Sequence, residues 1–418
     1  MSGGRIMRIS RNAITLGGLC FLAGLLSWRI LVVGLAEQYA AADTPDAAAA
    51  ALGWRANHPA ALYQRGQALA GRSPTAATAL LQASVWNDPT NAMTYLALAE
   101  LWASAGRLPE AIALVEAADV LGPMRSPALS RSAAFWFAHG RPELGLERWS
   151  VLLRTRPATA GTLFPVLLKL AGDPATRPLL LPLLEQVPDW WERFFAYAAT
   201  HAPRPETVMF LYQGRARAGA TPSPVERRVY LDRLWKDGRW LDAYLAWVGG
   251  LDERGQEGLG LLYNGGFELP ITGIGFDWRI MPSPGALVET LEIYGSRGAR
   301  SLHVAFEGRG SRFQHVHQPL YLESGRYQLQ GRVRRDGLAP RQGLRWAVRC
   351  NRPDAQPLAA TEAFGGKDDW QPFSLNFEVP AADCPVQVLR LEQEDEIGVH
   401  WEGQGGVWFD DLTISRGG

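Results

Sequence analysis

The sequence has few cysteines and lysines and no excess of charge of either sign. Only Lys169, Lys236 and Lys367 are lysines among 42 basic residues, and 42 acidic residues balance them to a formal net charge of +0. A chain without net positive charge has no general electrostatic attraction to nucleic acid, so we expect no nucleic-acid partner. The three cysteines form no Cys-x-x-Cys pair, which excludes the usual zinc sites.

Motifs that identify common enzymes are also missing. The chain contains no Gly-x-x-x-x-Gly-Lys phosphate loop, no His-Glu-x-x-His and no nucleophile elbow. Acidic residues are frequent near the C-terminus, but no motif pairs two of them as the carboxylates of a glycosidase. We therefore predict a protein that is not an enzyme and assign no catalytic residues. A glycan-processing enzyme stays an alternative, because catalytic groups can converge from distant positions.

One long apolar run is present, at 13–36 (AITLGGLCFLAGLLSWRILVVGLA). About 24 residues at roughly 1.5 Å each are enough to cross a bilayer core of roughly 30 Å. Arg5, Arg8 and Arg11 precede the run and acidic residues follow it, which predicts a cytoplasmic tail over 1–12 and export of the rest. A cleaved signal peptide is the alternative. We expect a single-pass protein of a bacterial inner membrane with its bulk in the periplasm.

Residues 37–258 carry a repeat. Pro89, Pro123 and Pro157 are spaced 34 residues apart, and so are the dipeptides Gly106-Arg107 and Gly140-Arg141. A period of this length, divided by a glycine turn and rich in alanine and leucine at helical spacing, predicts stacked pairs of helices.

The unit at 88–122 resembles the tetratricopeptide repeat. The residues that carry the resemblance are small or aromatic packing residues and the closing proline: Tyr95, Leu98, Ala99, Gly106, Ala111, Ala118 and Pro123. It implies a helical solenoid whose concave surface binds a protein partner. Most of the tryptophans in this region are expected to pack between helices, namely Trp86, Trp102, Trp136, Trp149, Trp190 and Trp191.

The pattern changes to short alternating segments in the last part of the chain. They lie at 301–306, 326–334, 343–349, 373–379, 386–392 and 407–414, with turn residues between them. Such spacing predicts an antiparallel β-sandwich over 259–418. The predicted fold class is thus multidomain, with a transmembrane helix, an α-helical solenoid and an all-β domain.

A succession of local signatures in this domain resembles the jelly-roll carbohydrate-binding modules of bacterial cellulases and xylanases. In order, they are 264–268 (NGGFE), Trp278, 298–302 (GARSL), 324–329 (SGRYQL), Trp370 before Phe373 and Phe377, and 406–412 (GVWFDDL). Trp346, Trp370 and Trp408 lie among alternating apolar residues, so we expect them in the core of the sandwich.

Two features that would stabilise this domain are predicted. Strand parity brings Cys350 towards Cys384, which predicts a disulfide if the domain faces an oxidising compartment. The resemblance also implies a structural calcium ion held by Glu268, Asp410 and Asp411, because Ca²⁺ prefers hard oxygen ligands. The alternative is that backbone amides or arginines cap these carboxylates without a metal. No other cofactor is expected.

Sugar-binding candidates combine aromatic platforms with polar side chains. Trp401, in a glycine-rich segment read as a loop, is the preferred aromatic candidate, and Trp278 is the second, with a structural role as its alternative. The polar candidates are Gln330, Arg332, Arg345, Arg390 and Glu392. If these side chains share a sheet face, arginine forks there would grip carboxylates or phosphates of an acidic polysaccharide. A solvated face on which arginine and glutamate pair with each other is the alternative.

The sequence as a whole predicts an anchored accessory of envelope or exopolysaccharide synthesis or export. The repeats would dock a subunit of the synthesis or export machinery, and the sandwich would contact the polysaccharide. This expectation rests partly on analogy of folds. The alternative from another class is a protein-interaction scaffold whose sandwich no longer binds sugar.

Overall fold

The computed structural model describes residues 11–310, 313–338, 343–393 and 401–417. Over these residues, helices occupy the chain as far as Glu257 and strands occupy the remainder. This confirms the predicted fold class, with an apolar N-terminal helix, a helical region and an antiparallel β-sandwich.

The helices of the described chain are α1 (Arg11–Ala41), α2 (Pro45–Trp54), α3 (Pro59–Leu69), α4 (Pro74–Asn87), α5 (Ala92–Ser104), α6 (Leu108–Leu121), α7 (Ser126–Ala138), α8 (Pro142–Thr155), α9 (Ala160–Gly172), α10 (Leu181–Glu185), α11 (Trp191–His201), α12 (Pro205–Arg217), α13 (Pro224–Lys236), α14 (Trp240–Val248) and α15 (Glu253–Glu257). Short 3-10 turns at Pro157–Thr159 and Arg177–Leu180 precede α9 and α10.

The strands of the described chain are β1 (Arg279–Ile280), β2 (Ala286–Leu291), β3 (Ser301–Gly310), β4 (Val316–Leu320), β5 (Gly325–Leu338), β6 (Leu344–Cys350), β7 (Pro357–Ala360), β8 (Gly366–Val379), β9 (Gln387–Gln393) and β10 (Trp401–Arg416).

Helix α1 extends beyond the predicted 13–36 at its C-terminal end. The stretch Gly18–Ala41 is long and apolar enough to cross a membrane, and a signal sequence has the same length and composition. Residues 1–10, which hold most of the predicted tail, lie outside the described chain. The last turns of α1 pack against the next helices: Ala36 and Ala40 are buried, and the Gln64 side chain donates to the Ala40 carbonyl at 2.8 Å.

Successive helices then pack as pairs, α3 with α4, α5 with α6 and α7 with α8. The turns inside the last two pairs contain Gly106 (φ 78°) and Gly140 (φ 74°), a left-handed conformation that glycine adopts without a steric cost. Ala99 and Ala111 are fully buried in the core between α5 and α6, where small side chains let two helices approach closely. The 34-residue spacing therefore corresponds to successive helix pairs.

Most tryptophans of the helical region do pack as predicted. Trp136, Trp190 and Trp191 are buried, and the Trp149 ring lies 4.4 Å from that of Phe137. Trp86 is different, because 89% of its surface is exposed.

The strands form two five-stranded antiparallel sheets in the described part of the chain. The strand order is β1-β4-β9-β6-β7 in the first sheet (sheet A) and β2-β3-β10-β5-β8 in the second (sheet B). Their inner faces share one core, in which the Trp346 ring contacts those of Trp278 and Phe409 at 5.6 and 5.2 Å. Trp346 is fully buried, as predicted.

The chain forms two compact units. One holds the residues up to Leu170 with Pro188–Trp190, and the other holds Ala171–Val187 with Trp191–Gly418. The second unit therefore contains the last helices as well as the sandwich. Within it, the Phe276 ring lies 5.2 Å from Trp235 and 5.1 Å from Tyr244, and Trp247 packs edge-on against Tyr263. Secondary structure changes near residue 258, but aromatic packing continues across that point.

Candidate functional site: an arginine-lined cleft on sheet A

The outer face of sheet A collects charged side chains on its two central strands. Leu389 and Leu391 of β9 point into the core, so Arg390 and Glu392 point outward. In β6, Trp346 and Val348 are core residues, and the outward positions include Arg345 and Arg349. Strand pairing sets Arg345 opposite Glu392 and Ala347 opposite Arg390, while Arg390 is also opposite His317 of β4.

Glu392 is hydrogen-bonded to two arginines of this face. Its carboxylate is only 1% exposed and accepts hydrogen bonds from Arg349 at 2.7 and 3.2 Å and from Arg345 at 3.3 Å. A buried carboxylate is costly unless it is paired and hydrogen-bonded. The Arg349 guanidinium also donates to the Ala355 carbonyl at 2.7 Å, so its position is fixed from two sides. The predicted alternative of arginine–glutamate pairing is thus realised at Glu392.

A depression of about 340 Å³ lies beside this pair. Arg349, Arg390 and Glu392 line its floor, Gln314 lies at its edge, and the segment 351–356 with Arg352 completes the wall. Arg390 donates to the Gln314 amide oxygen at 3.5 Å. The cleft is polar, and three arginines line it together with two carboxylates, those of Asp354 and Glu392. Glu392 is already paired with Arg349 and Arg345. Guanidinium groups recognise carboxylates and phosphates through paired hydrogen bonds.

A disulfide fixes the start of the segment 351–356 that lines the cleft. Cys350, at the end of β6, is bonded to Cys384, with 5.1 Å between their Cα atoms. The next amide, of Asn351, donates to the Val386 carbonyl at 2.8 Å. The segment that carries Arg352 therefore starts from a point that is cross-linked to the segment just before β9, the strand that carries Arg390.

His317 lies in β4 opposite Arg390, and its pKa depends on this position. Burial, together with the positive charges of Arg279 and Arg390, lowers the pKa of His317 to about 4. In the unfolded chain a histidine titrates near its ordinary pKa of about 6.5. Between these values the unfolded chain binds a proton that the folded chain does not, so stability is full above about pH 6.5 and falls as the pH decreases towards 4.

We therefore expect the free energy of unfolding in urea to be lower at pH 5 than at pH 7.5, and this difference to be smaller in His317→Gln. His303 and His315, whose pKa values burial also lowers, retain part of the dependence in the variant. An unchanged difference in His317→Gln would show that this histidine is not buried in its neutral form.

Two of the predicted sugar-binding residues belong to sheet B. Gln330 and Arg332 lie on the outer face of β5, which pairs with β8 and β10, so they do not share a face with Arg345, Arg390 and Glu392. The condition that all these side chains share one sheet face is therefore not met. Gln330 donates to Gln328 at 2.6 Å, while the Arg332 guanidinium lies over the Trp370 ring at 5.0 Å.

Of the two aromatic candidates, Trp278 has the structural role that was its alternative. Trp278 is fully buried against Phe267 and Trp346, and its indole N–H donates to the Asn264 carbonyl at 3.0 Å, so it offers no platform to a sugar. Trp401 begins strand β10 and pairs with Gly310; its assignment to a loop is wrong. Nothing further is described for its side chain.

Two predicted core tryptophans lie on the outer face of sheet B. Trp370 is partly exposed beside Arg332. Trp408 alternates with the core residues Val407 and Phe409, and its ring stacks on His303 at 3.8 Å. Trp408 is buried, but by the outer-face histidine instead of by the core.

The acidic residues proposed to bind calcium interact with the loop that precedes β3. Glu268 accepts hydrogen bonds from the amides of Ala299 and Arg300 at 2.9 and 3.0 Å. Asp410 accepts from the Arg297 amide at 2.7 Å, and the Arg297 side chain lies 3.3 Å from Asp411. Among the described residues, no three His, Cys, Asp or Glu side chains converge in a way that suits a metal ion. This donor set fits the amide-capped alternative better than calcium.

Chelation tests this assignment. We expect the thermal unfolding temperature of the protein to be the same with and without EDTA, because amides already satisfy Glu268 and Asp410. A decrease in EDTA that added Ca²⁺ reverses, and that Asp410→Asn abolishes, would instead establish the calcium site.

Several cleft residues had no signal in the sequence. Gln314 and Arg352 are 76 and 38 positions from Arg390 in the chain, and only strand pairing and the disulfide bring them to the same cleft. A charged residue after a cysteine at a strand end is the only hint that the sequence provides for Arg352.

Comparison with known proteins gives similarity of fold. No family model matches the chain, and no curated protein does. Through its C-terminal β region, the chain is similar to a carbohydrate-binding module of family 4, with 19% identity over 37% of this chain and 99% of that one and a TM-score of 0.29. A family 61 module, TmCBM61, in complex with beta-1,4-galactotriose is 16% identical over 38% of this chain and 99% of its own, with a TM-score of 0.26.

A third similar structure is the N-terminal part of endo-1,4-beta-D-xylanase 10B of Clostridium thermocellum, which contains CBM22-1 and GH10 modules and xylohexaose. It is 17% identical over 37% of this chain and 28% of its own length, with a TM-score of 0.25.

Proposed function

We propose that this chain is a membrane-anchored binding protein whose β-sandwich holds an anionic polysaccharide and performs no catalysis. The observation that carries the proposal is the cleft on sheet A, where Arg349, Arg352 and Arg390 surround a depression large enough for part of a sugar chain. Since Glu392 and the Ala355 carbonyl fix Arg349, at least one guanidinium is already oriented before a ligand arrives. Pre-organisation of this kind lowers the entropic cost of binding.

The ligand class follows from the chemistry of the cleft. A guanidinium pairs best with planar or tetrahedral anions, so uronic-acid carboxylates or phosphate groups of a polysaccharide suit it. A neutral sugar would need an aromatic platform for its apolar face. The described residues that line this cleft include no aromatic side chain.

The cellular setting is part of the proposal. The apolar stretch of α1, Gly18–Ala41, follows Arg5, Arg8 and Arg11, which favours a cytoplasmic N-terminus in a bacterial inner membrane. The Cys350–Cys384 disulfide supports a periplasmic location. The tetratricopeptide-like helix pairs would dock a component of an envelope or exopolysaccharide synthesis or export machinery. A reporter enzyme that is active only in the periplasm should therefore be active when it is fused to the C-terminus.

Binding by arginine variants tests the proposed site. Full-length protein in nanodiscs is titrated with polygalacturonate and with a neutral β-glucan. We expect Arg352→Gln and Arg390→Gln each to weaken polygalacturonate binding by about tenfold or more, because a hydrogen bond to a charged group contributes about 1.5–3 kcal/mol. Arg334→Gln is the matched control, since Arg334 lies in β5 of sheet B.

The outcomes separate the alternatives. Equal losses in the control and the cleft variants would overturn the site. No binding of either glycan, together with retained capture of a protein partner, would favour the scaffold whose sandwich no longer binds sugar. Cleavage of the polysaccharide would overturn the non-enzymatic assignment.

A further inference from the structure

Beyond α1, the exposed large apolar side chains of helices α2 to α8 lie at one edge of the helix pairs. Helices α1 to α8 are joined by connections of three or four residues, and each packs on the next, so successive helices run in opposite directions. The connections after α2, α4 and α6 therefore lie at one edge of the unit. Those after α1, α3, α5 and α7 lie at the opposite edge.

The two edges differ in chemistry. Near the first edge, 40% of the surface of Trp54, 89% of Trp86, 80% of Val120 and 63% of Met124 is exposed. Trp86 and Val120 are 34 residues apart, so they are equivalent positions in successive helix pairs.

The turns of the opposite edge instead contain Gly71-Arg72, Gly106-Arg107 and Gly140-Arg141. Among the described residues of these turns, no large hydrophobic side chain is exposed. At this edge Tyr39, in the last turn of α1, is 41% exposed. Solitary exposed apolar residues are common on proteins, but a set that within α2 to α8 lies at one edge indicates a surface that is covered in use.

The path of α1 decides which edge is near the membrane. A bilayer core needs about 20 residues of helix, and α1 has 31, so its C-terminal turns leave the core. These turns pack against α2, with Val32 and Val33 partly buried and Ala36 and Ala40 buried. Because α2 returns antiparallel to α1 over its 10 residues, or roughly 15 Å, its C-terminal Trp54 lies level with the part of α1 that emerges from the bilayer.

We infer that this edge, formed by Trp54, Trp86, Val120 and Met124, inserts into the interfacial layer of the lipid bilayer. The inference rests on the proposed membrane anchor and extends it from one helix to a face of the helical unit. Tryptophan is favoured at the boundary between headgroups and acyl chains, and the apolar side chains gain free energy when they leave water. The helix pairs nearest α1 would then lie on the membrane surface, with their Gly-Arg turns directed away from it.

Depth-dependent fluorescence quenching tests the inference on the full chain in liposomes. Cys20, the free cysteine of the described chain, is replaced by alanine, and an NBD fluorophore is attached to single cysteines introduced as Trp86→Cys or Val120→Cys. Arg107→Cys and Arg141→Cys, in the opposite turns, are the matched controls. Leu22→Cys reports on the anchor itself.

The expected result is a blue-shifted emission at positions 86 and 120 that lipids with a shallow doxyl group quench. Positions 107 and 141 should show neither effect, and position 22 should be quenched by lipids with a deep doxyl group. Quenching at position 22 without quenching at 86 and 120 would overturn the inference and leave the anchor intact. Absence of quenching at position 22 would instead contradict the anchor, and with it the proposed function. Equal quenching at both edges would also overturn the inference.

Discussion

Replacing Gly265 with alanine is expected to destabilise the β-sandwich by about 3 kcal/mol or more. A Cβ atom at this position would lie 1.8 Å from the Leu412 carbonyl oxygen and 2.8 Å from its carbon. Both are backbone atoms of β10, and the Leu412 amide also donates to the Gly265 carbonyl at 2.9 Å. Residues 264–268 and strand β10 would have to move apart to make room for the added methyl group. Hydrogen exchange of the β10 amides in Gly265→Ala should therefore be faster than in the wild type.

Gly266 provides the matched control for this prediction. The nearest atom to a Cβ there is the Glu268 Cγ at 3.8 Å, which is ordinary van der Waals contact, so Gly266→Ala should cost less than about 1 kcal/mol. Similar exchange rates in the two variants would mean that the approach of residues 264–268 to β10 is looser than the structure has it.

Removing the disulfide is expected to have an effect of similar size. Cys350 and Cys384 are 34 residues apart, and closing a loop of that length restricts the unfolded chain enough to stabilise the fold by about 4 kcal/mol. The double variant Cys350→Ala/Cys384→Ala should unfold at correspondingly lower urea concentration. It should also bind polygalacturonate more weakly, because the segment with Arg352 starts from the cross-linked Cys350.

Cys20→Ala is the control, since Cys20 is exposed in α1 and makes no cross-link. Equal stability of the double variant and the wild type would contradict a disulfide formed in the folded protein.

Periodicity in the sequence was sufficient to predict the fold class and the two faces of strand β5. In β5, Tyr327, Leu329 and Val333 point into the core while Gln328 and Gln330 point outward, as strict alternation requires. The 34-residue spacing likewise predicted the helix pairs, because the turn glycines inside α5–α6 and α7–α8, Gly106 and Gly140, recur at that interval.

The candidate site was harder to predict, because alternation shows that a residue points outward without showing from which sheet. Arg332 and Arg345 have the same outward pattern in their strands, yet β5 belongs to sheet B and β6 to sheet A. Trp408 was assigned to the core because apolar residues flank it, but Val407 and Phe409 occupy the inner face and leave it outside. Strand order depends on long-range pairing that no local pattern encodes.

The exposed tryptophan at position 86 illustrates the same limit in helices. An amphipathic pattern contains tryptophan whether the ring packs between helices or projects from their end. Only the positions of the helix termini separate Trp86, at the end of α4, from Trp136, which is buried inside α7.

If the sandwich recognises the negative charge of a polysaccharide, calorimetric titration of the full-length protein should distinguish two chemical forms of one polymer. We predict that polygalacturonate binds, that its affinity decreases as salt is added, and that the same polymer with its carboxyl groups reduced to alcohols does not bind. Equal affinity for the charged and the reduced polymer would show that the sandwich does not recognise the negative charge.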